Sequence, residues 1–328
     1  MTLTPDGPSG QRPIIDAAAN GVPLVHIAPP NASGVSRNGY KDFNVGSNGL
    51  ILNNSATPVQ TQLGGWTAGN PQLGYVPARL IVNEVLGTNA SVLKGTIEVA
   101  GRKADVVISN PNGLLCDGCG FINTSRTTLS TGTPQYGANG SLSGFSVAQG
   151  QINVEAAGLN AANIEQLDLI ARGLVIEGEV WAQNLNVLAG TNQVLYASLA
   201  ATPASAGAGG APLFAIDLKD LGGMYANQVY MIATEKGLGV NSTGRTAALQ
   251  GNLQLAANGD LTIKDSYAAK SLSLTSTGHM TLSGQTQSDG AGDIAINAGG
   301  TLVTVIQVLS TLRVACLSTQ RAWPTAAV

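Results

Sequence analysis

Short apolar runs separated by polar, glycine-bearing breaks recur along most of the chain. Val92–Leu93, Ile97–Val99 and Val106–Ile108 are early examples. This rhythm predicts strands and turns, because no stretch carries the 3.6-residue stripe of an amphipathic helix. Between residues 253 and 296 the pattern sharpens into apolar pairs spaced one residue apart. They are Leu253/Leu255, Leu261/Ile263, Leu272/Leu274, Met280/Leu282 and Ile294/Ile296. Successive pairs are 8, 11, 8 and 14 residues apart, so every second pair recurs after 19 and then 22 residues. Earlier, Leu167/Leu169 and Leu185/Val187 repeat at 18, and Ile152/Val154 and Leu174/Ile176 at 22. A period near 20 residues with several short strands in each predicts a β-solenoid. Roughly ten parallel rungs would make a rod about 50 Å long. Asn and Thr at the turns are expected to stack from rung to rung as hydrogen-bonded ladders.

Breaks in the rhythm divide the chain. Residues 1–13 are rich in Pro and Gly and read as a flexible N-terminus. Residues 14–91 hold short strands at Val22–Ile27, Tyr40–Val45 and Gly49–Leu52, with an irregular excursion over 64–80 around Trp66. Residues 92–300 carry the rungs. Within them, 200–212 (AATPASAGAGGAP) has little side chain to pack and reads as a loop leaving the rod. Residues 301–328 contain no Gly and lose the rhythm. A further rung, a short helix and a foreign tail are all open for them, with a mild preference for the last.

Composition supports the all-β reading. Charged residues are only 11% of 328, and Gly contributes 42. Helical surfaces need more Glu, Lys and Arg than this. The net charge of −3 comes with no Lys/Arg cluster, which argues against nucleic acid or an anionic membrane as partner. No apolar run is long enough for a spanning helix. The opening MTLTPDGPSG lacks the charged and apolar regions of a signal peptide, so an exported chain would stand here in mature form, with Met1 added.

The most distinctive stretch is residues 83–134. It contains Asn83-Glu84, the turn Asn110-Pro111-Asn112-Gly113, and Cys116-Asp117-Gly118-Cys119. Pro111 fixes φ for the second position of a turn, Asn110 can bond the backbone ahead, and Asn112 and Gly113 tolerate φ > 0. The run ADVVISNPNGLLCDGCGFINTSRTTLSTGTP resembles the secretion domain of two-partner secretion exoproteins, the filamentous haemagglutinins and the CdiA proteins of contact-dependent growth inhibition. YKDFNV at 40–45, GLILNNS at 49–55, IVNEV at 81–85, GGMY at 222–225 and GLGV at 237–240 resemble the same family in the same order.

That resemblance implies a right-handed parallel β-helix with an N-terminal β cap over residues 14–91 and short antiparallel excursions. A cap has a physical reason, since a parallel stack ends in unpaired backbone groups. It implies that Asn83, Glu84, Asn110, Pro111, Asn112 and Gly113 help an outer-membrane β-barrel transporter, CdiB-like, to recognise the chain through periplasmic POTRA domains. The bland alternative is that they are buried turn residues whose loss misfolds the domain. The chain would pass the periplasm and outer membrane of a Gram-negative bacterium unfolded and fold at the cell surface as a monomer. The family's proteins continue for many more repeats, so a cell-surface receptor would be met through the remainder of a longer chain.

Chemistry has little to build on. Cys116 and Cys119 fit a tight local disulfide, free thiols, or a metal or redox role; an oxidising exported compartment favours the first. Only His26, His279 and Cys316 remain as soft ligands, without ligand spacing, so no cofactor and no metal are expected. Neither histidine lies near a nucleophile motif. Asp260, Asp265, Asp289 and Asp293 fall on different turns, and Asp289–Asp293 is a weak calcium candidate. Two other readings stand beside export: a glycan-binding adhesin module and a polysaccharide-acting β-helix enzyme.

Overall fold

The computed structural model describes residues 2–204, 207–289, 293–308 and 312–314. They form an all-β chain without helices, wound as a parallel β-helix of three faces. The first face stacks eleven strands in parallel, from Pro23–His26 and Leu50–Asn54 through to Met280–Ser288 and Leu302–Val308. At about 4.8 Å per strand that stack is roughly 48 Å tall. The second face runs from Val35–Phe43 and Leu80–Val85 to Ile294–Ala298 and Leu312–Val314. The third begins at Ser91–Leu93 and passes through Leu114–Cys116, Gln151–Val154 and Gly173–Ile176.

The pairs that set the period lie in register on single faces. Leu253, Leu272 and Ile294 align on the second face, and Leu261 and Met280 on the third. Their side chains alternate inward with outward polar ones, so one continuous apolar core runs the length of the rod. Corner asparagines tie rungs together. Asn123 Nδ2 donates to Val99 O (2.7 Å) and Gly101 O (3.0 Å), and Asn184 Nδ2 to Glu165 O (2.8 Å). Each satisfies carbonyls that a corner would otherwise leave unpaired.

The N-terminal end is closed by two antiparallel strands. Leu3–Asp6 pairs with Val35–Phe43, and Ile14–Ala17 with Pro23–His26. This corrects the reading of residues 1–13 as a flexible segment: the open edge of the first rung gives Leu3–Asp6 hydrogen bonds that outweigh its turn-rich composition. The strand beginning at Val35 starts five residues before the expected Tyr40. The excursion near Trp66 is a hairpin, Val59–Thr61 with Gly65–Thr67, laid over the outward side chains of Ile51 and Ala100.

Two insertions leave the rod and meet. Thr133–Tyr136 and Leu142–Val147 form a hairpin; Asn192–Leu195 and Ala201–Pro203 form another; the two join as a four-stranded antiparallel sheet. Part of segment 200–212 is therefore an edge strand. The sheet's Phe145, Val147, Val194 and Leu199 pack on Val82, Val107, Ile170 and Leu188 of the second face. Of residues 301–328, Leu302–Val308 and Leu312–Val314 extend two faces by a further strand; most of the rest lies outside the described residues, as does the centre of the Asp289–Asp293 turn.

Candidate functional site

The motif residues cluster on the early rungs, at the corner where the second face turns into the third. Asn110–Gly113 links Ala104–Ser109 to Leu114–Cys116. Gly113 N donates to Asn110 O (3.0 Å) and Asn112 N to Asn110 Oδ1 (3.0 Å), and Gly113 takes φ +119°, which only glycine adopts cheaply. Both side-chain amides also reach the preceding rung, while Asn112 Nδ2 donates as well to Asn110 Oδ1 (2.9 Å) within the turn. Asn110 Nδ2 donates to Asn89 O (2.9 Å) and Ser91 Oγ (3.0 Å), and Asn112 Nδ2 to Gly87 O (2.9 Å). Asn110 is fully buried. The motif is thus a staple between consecutive turns.

Asn83 lies inside the rod and is also fully buried. Its Oδ1 accepts from Tyr40 Oη (3.2 Å) and its Nδ2 donates to Val107 O (3.3 Å), bridging three rungs. Burial pushes the Tyr40 phenol far up, so it stays a donor. Glu84, the next residue, points the other way. It pairs with Arg37 (3.4 Å) beneath the four-stranded sheet, where the Arg37 guanidinium lies 3.8 Å from the centre of the Tyr136 ring. Asn83 and Glu84 are neighbours in sequence but serve the core and the sheet dock respectively.

Cys116 and Cys119 form a disulfide across the next corner, with Cα atoms 5.5 Å apart. Both sulfurs face the apolar core. Asp117, at the tip, pairs with Lys94 of the previous rung (3.4 Å). Closing so short a loop removes little chain entropy. Replacing both cysteines by alanine is expected to lower stability by only about 1–2 kcal/mol, read as a small shift in a urea melt.

Sequence patterning gave no hint of a second group. Asp168 is buried and accepts from Arg126 Nε (2.6 Å), Thr128 Oγ1 (3.0 Å), Gln166 Nε2 (2.9 Å) and Asn186 Nδ2 (2.9 Å). Arg126 also lies 4.1 Å from the centre of the Tyr196 ring, and Tyr196 Oη donates to Asp105 (3.3 Å). Burial raises the Asp105 carboxyl and the Tyr196 phenol, with Arg126 pulling both down. Two arginine–tyrosine contacts thus pin the four-stranded sheet to the rod. Asp260 and Asp265, on different turns, each cap a backbone amide one rung on: His279 N (2.8 Å) and Gln285 N (2.9 Å).

Residues 1–263 match the TPS secretion domain family. The chain belongs to that family. The TPS domain here is 51% identical over 253 residues to the tRNA nuclease CdiA-2 of Burkholderia pseudomallei, covering 76% of this chain and 8% of that protein. It is 44% identical over 292 residues to the 16S rRNA endonuclease CdiA of Enterobacter cloacae, covering 85% of this chain and 9% of that protein. The chain therefore spans about a tenth, or less, of the length of these relatives, and their names describe those whole proteins. The crystal structure of the filamentous hemagglutinin secretion domain superposes with a TM-score of 0.78 at 30% identity, over 96% of this chain and 100% of that one. The TPS domain is thus the secretion domain of a CdiA- or haemagglutinin-like exoprotein.

Proposed function

We propose that this TPS domain acts by recognition and folding, with no chemistry of its own. A cognate outer-membrane β-barrel transporter binds it through periplasmic POTRA modules, with Asn83, Glu84 and Asn110–Gly113 among the residues read. The chain then crosses the outer membrane of a Gram-negative cell unfolded and winds up at the surface, from the capped end onward. The observation that carries this reading is the complete burial of Asn83 and Asn110. No docking partner reaches those side chains once the rungs have closed. If they are read, they are read before folding, and afterwards they become staples.

The test is to pass the domain over immobilised POTRA modules of its transporter in two states. One is native; the other is unfolded in urea and diluted at the moment of injection. Binding is expected only for the second, decaying as the domain folds, and weakened by Asn110→Ala and Asn83→Ala. Native domain binding as tightly as the freshly diluted chain would overturn the reading.

A further inference from the structure

Cys116 and Cys119 lie beneath a corner that the chain makes only after them. Cys116 is fully buried, and Cys119 keeps 2% of its surface exposed. The covering corner is 155–158. Glu155 N donates to Cys116 O (2.8 Å), Gly118 N to Gly158 O (2.9 Å) and Ala157 N to Asp117 Oδ1 (3.4 Å), and the Cys116 sulfur sits 3.6 Å from Gly158 O. The flanking strands do the same: Leu114–Cys116 pairs with Gln151–Val154, and Cys119 and Gly120 with Leu159 and Asn160. From the other side the preceding rung holds the turn, with Asp117 N donating to Leu93 O (2.9 Å). A groove of about 370 Å³ passes Cys119 along Gly118, Ala157 and Asn160, but it reaches almost none of the residue.

Thiol–disulfide exchange requires a thiolate to reach sulfur, and cysteines sealed in an apolar core are inert. The bond is therefore made before residues 151–160 close over it. Making it does not need the fold. The cysteines are three apart in sequence, so they meet in the unfolded chain. Nor does the bond hinder passage. Cα atoms 5.5 Å apart replace about 10 Å of extended backbone, and no long loop is enclosed that a narrow pore would have to admit beside the chain. The catalyst for this step belongs to the periplasm, which a dithiol oxidase relay keeps oxidising.

We propose that the unfolded chain is a substrate of a periplasmic dithiol oxidase, a protein carrying a reactive disulfide, which closes Cys116–Cys119 before the chain enters the transporter. This step rests on the export reading above. A thiolate of one cysteine attacks the oxidase disulfide, forming a mixed disulfide and releasing one oxidase thiolate. The chain's second thiolate attacks the chain sulfur of that bond, closes Cys116–Cys119 and frees the oxidase as a dithiol. The chain gives up two electrons and two protons, and the oxidase takes the electrons. Winding of the next rung then shuts the bond away from reductants.

Acid quenching, alkylation of free thiols and tryptic digestion read the bond directly. Cleavage after Lys103 and Arg126 releases 104–126, with both cysteines and no third. In cells lacking the transporter, full-length exoprotein held in the periplasm is expected to give this peptide closed. An oxidase whose second active-site cysteine is replaced by alanine should be found joined to it through a mixed disulfide. Closing so short a ring adds little stability, so the reduced domain still folds, as circular dichroism checks. Oxidised glutathione should close the bond in the reduced chain unfolded in urea, and roughly thirtyfold more slowly in the reduced folded domain, where a rung must first open. Free thiols in the periplasmic chain, with a closed bond on the surface of transporter-bearing cells, would overturn the proposal. So would equal rates for the folded and unfolded domain. Failure of the export reading shows separately, as absence of the chain from the surface of transporter-bearing cells.

Discussion

Replacing Asp168 by leucine is expected to lower the stability of the domain by about 3–5 kcal/mol. The carboxylate is buried, and four donors converge on it. Removing it strands the Arg126 guanidinium, whose side chain is only 14% exposed, in a site closed over by Tyr196. Desolvation of that cation is then uncompensated, and this, more than the lost attraction, sets the size of the effect. The double substitution Asp168→Leu with Arg126→Met should recover most of the loss, because it removes the stranded charge as well. Urea denaturation of the three variants measures both quantities. As a contrast, Lys103 and Glu165 form an ion pair of similar length, 2.8 Å, with side chains 45% and 66% exposed. Breaking that pair should change stability by less than about 1 kcal/mol. If Asp168→Leu behaved like the exposed pair, the view that this cluster pins the four-stranded sheet would fail.

The rod was legible where its inward residues are large and apolar. Leu253/Leu255 against Leu272/Leu274, and Leu261/Ile263 against Met280/Leu282, gave the period and correctly paired two faces. The first face was not legible in the same rungs. Its inward residues there are Thr246/Ala248, Ser266/Ala268 and Thr286/Ser288, which fill a narrow corner and bond each other, as Ser266 does to Thr286 at 3.2 Å. Small polar residues leave no mark on a hydrophobic pattern. The same cause hid the start of Val35–Phe43. Ser36 and Asn38 look like solvent residues but are buried, their side chains satisfied by Ala28 O (2.6 Å) and Ala28 N (2.8 Å). The four-stranded sheet could not be read at all, since Phe145 pairs with Val194 across two intervening turns of the rod.

For the motif residues, local turn chemistry was readable but burial was not. Pro111 and Gly113 announce a turn by their backbone preferences. Whether Asn110 faces water or the preceding rung depends on Asn89 and Ser91, about twenty residues upstream. That distance decides its role, since an exposed Asn110 would be a docking handle and a buried one is a staple. The disulfide was partly readable, because a spacing of three residues brings the cysteines together in almost any turn.

Leu274→Pro in the full-length exoprotein is expected to arrest export part-way. Leu274 lies in the middle of Leu272–Ser276, paired with Leu255 on one side and Ile296 on the other. Proline there removes a ladder donor from a central strand, where it is not tolerated. A 20-residue rung adds about 1–3 kcal/mol at the usual stability per residue, a five- to 150-fold bias against sliding back. The substitution cancels that gain for its own rung and withholds the template from the next, since solenoid stability is a nearest-neighbour sum. Chains should stall with the earlier rungs folded and protease-resistant outside and the remainder still within the periplasm. Ala211→Pro, in the return loop before Pro212, is the matched control, because that exposed loop contributes no strand to the rod. Surface-protease digestion of pulse-labelled cells separates the two. Equal export rates for Leu274→Pro and Ala211→Pro would mean that rung closure does not draw the chain outward. The buried staples at Asn83 and Asn110 would then matter to the finished domain and not to its passage.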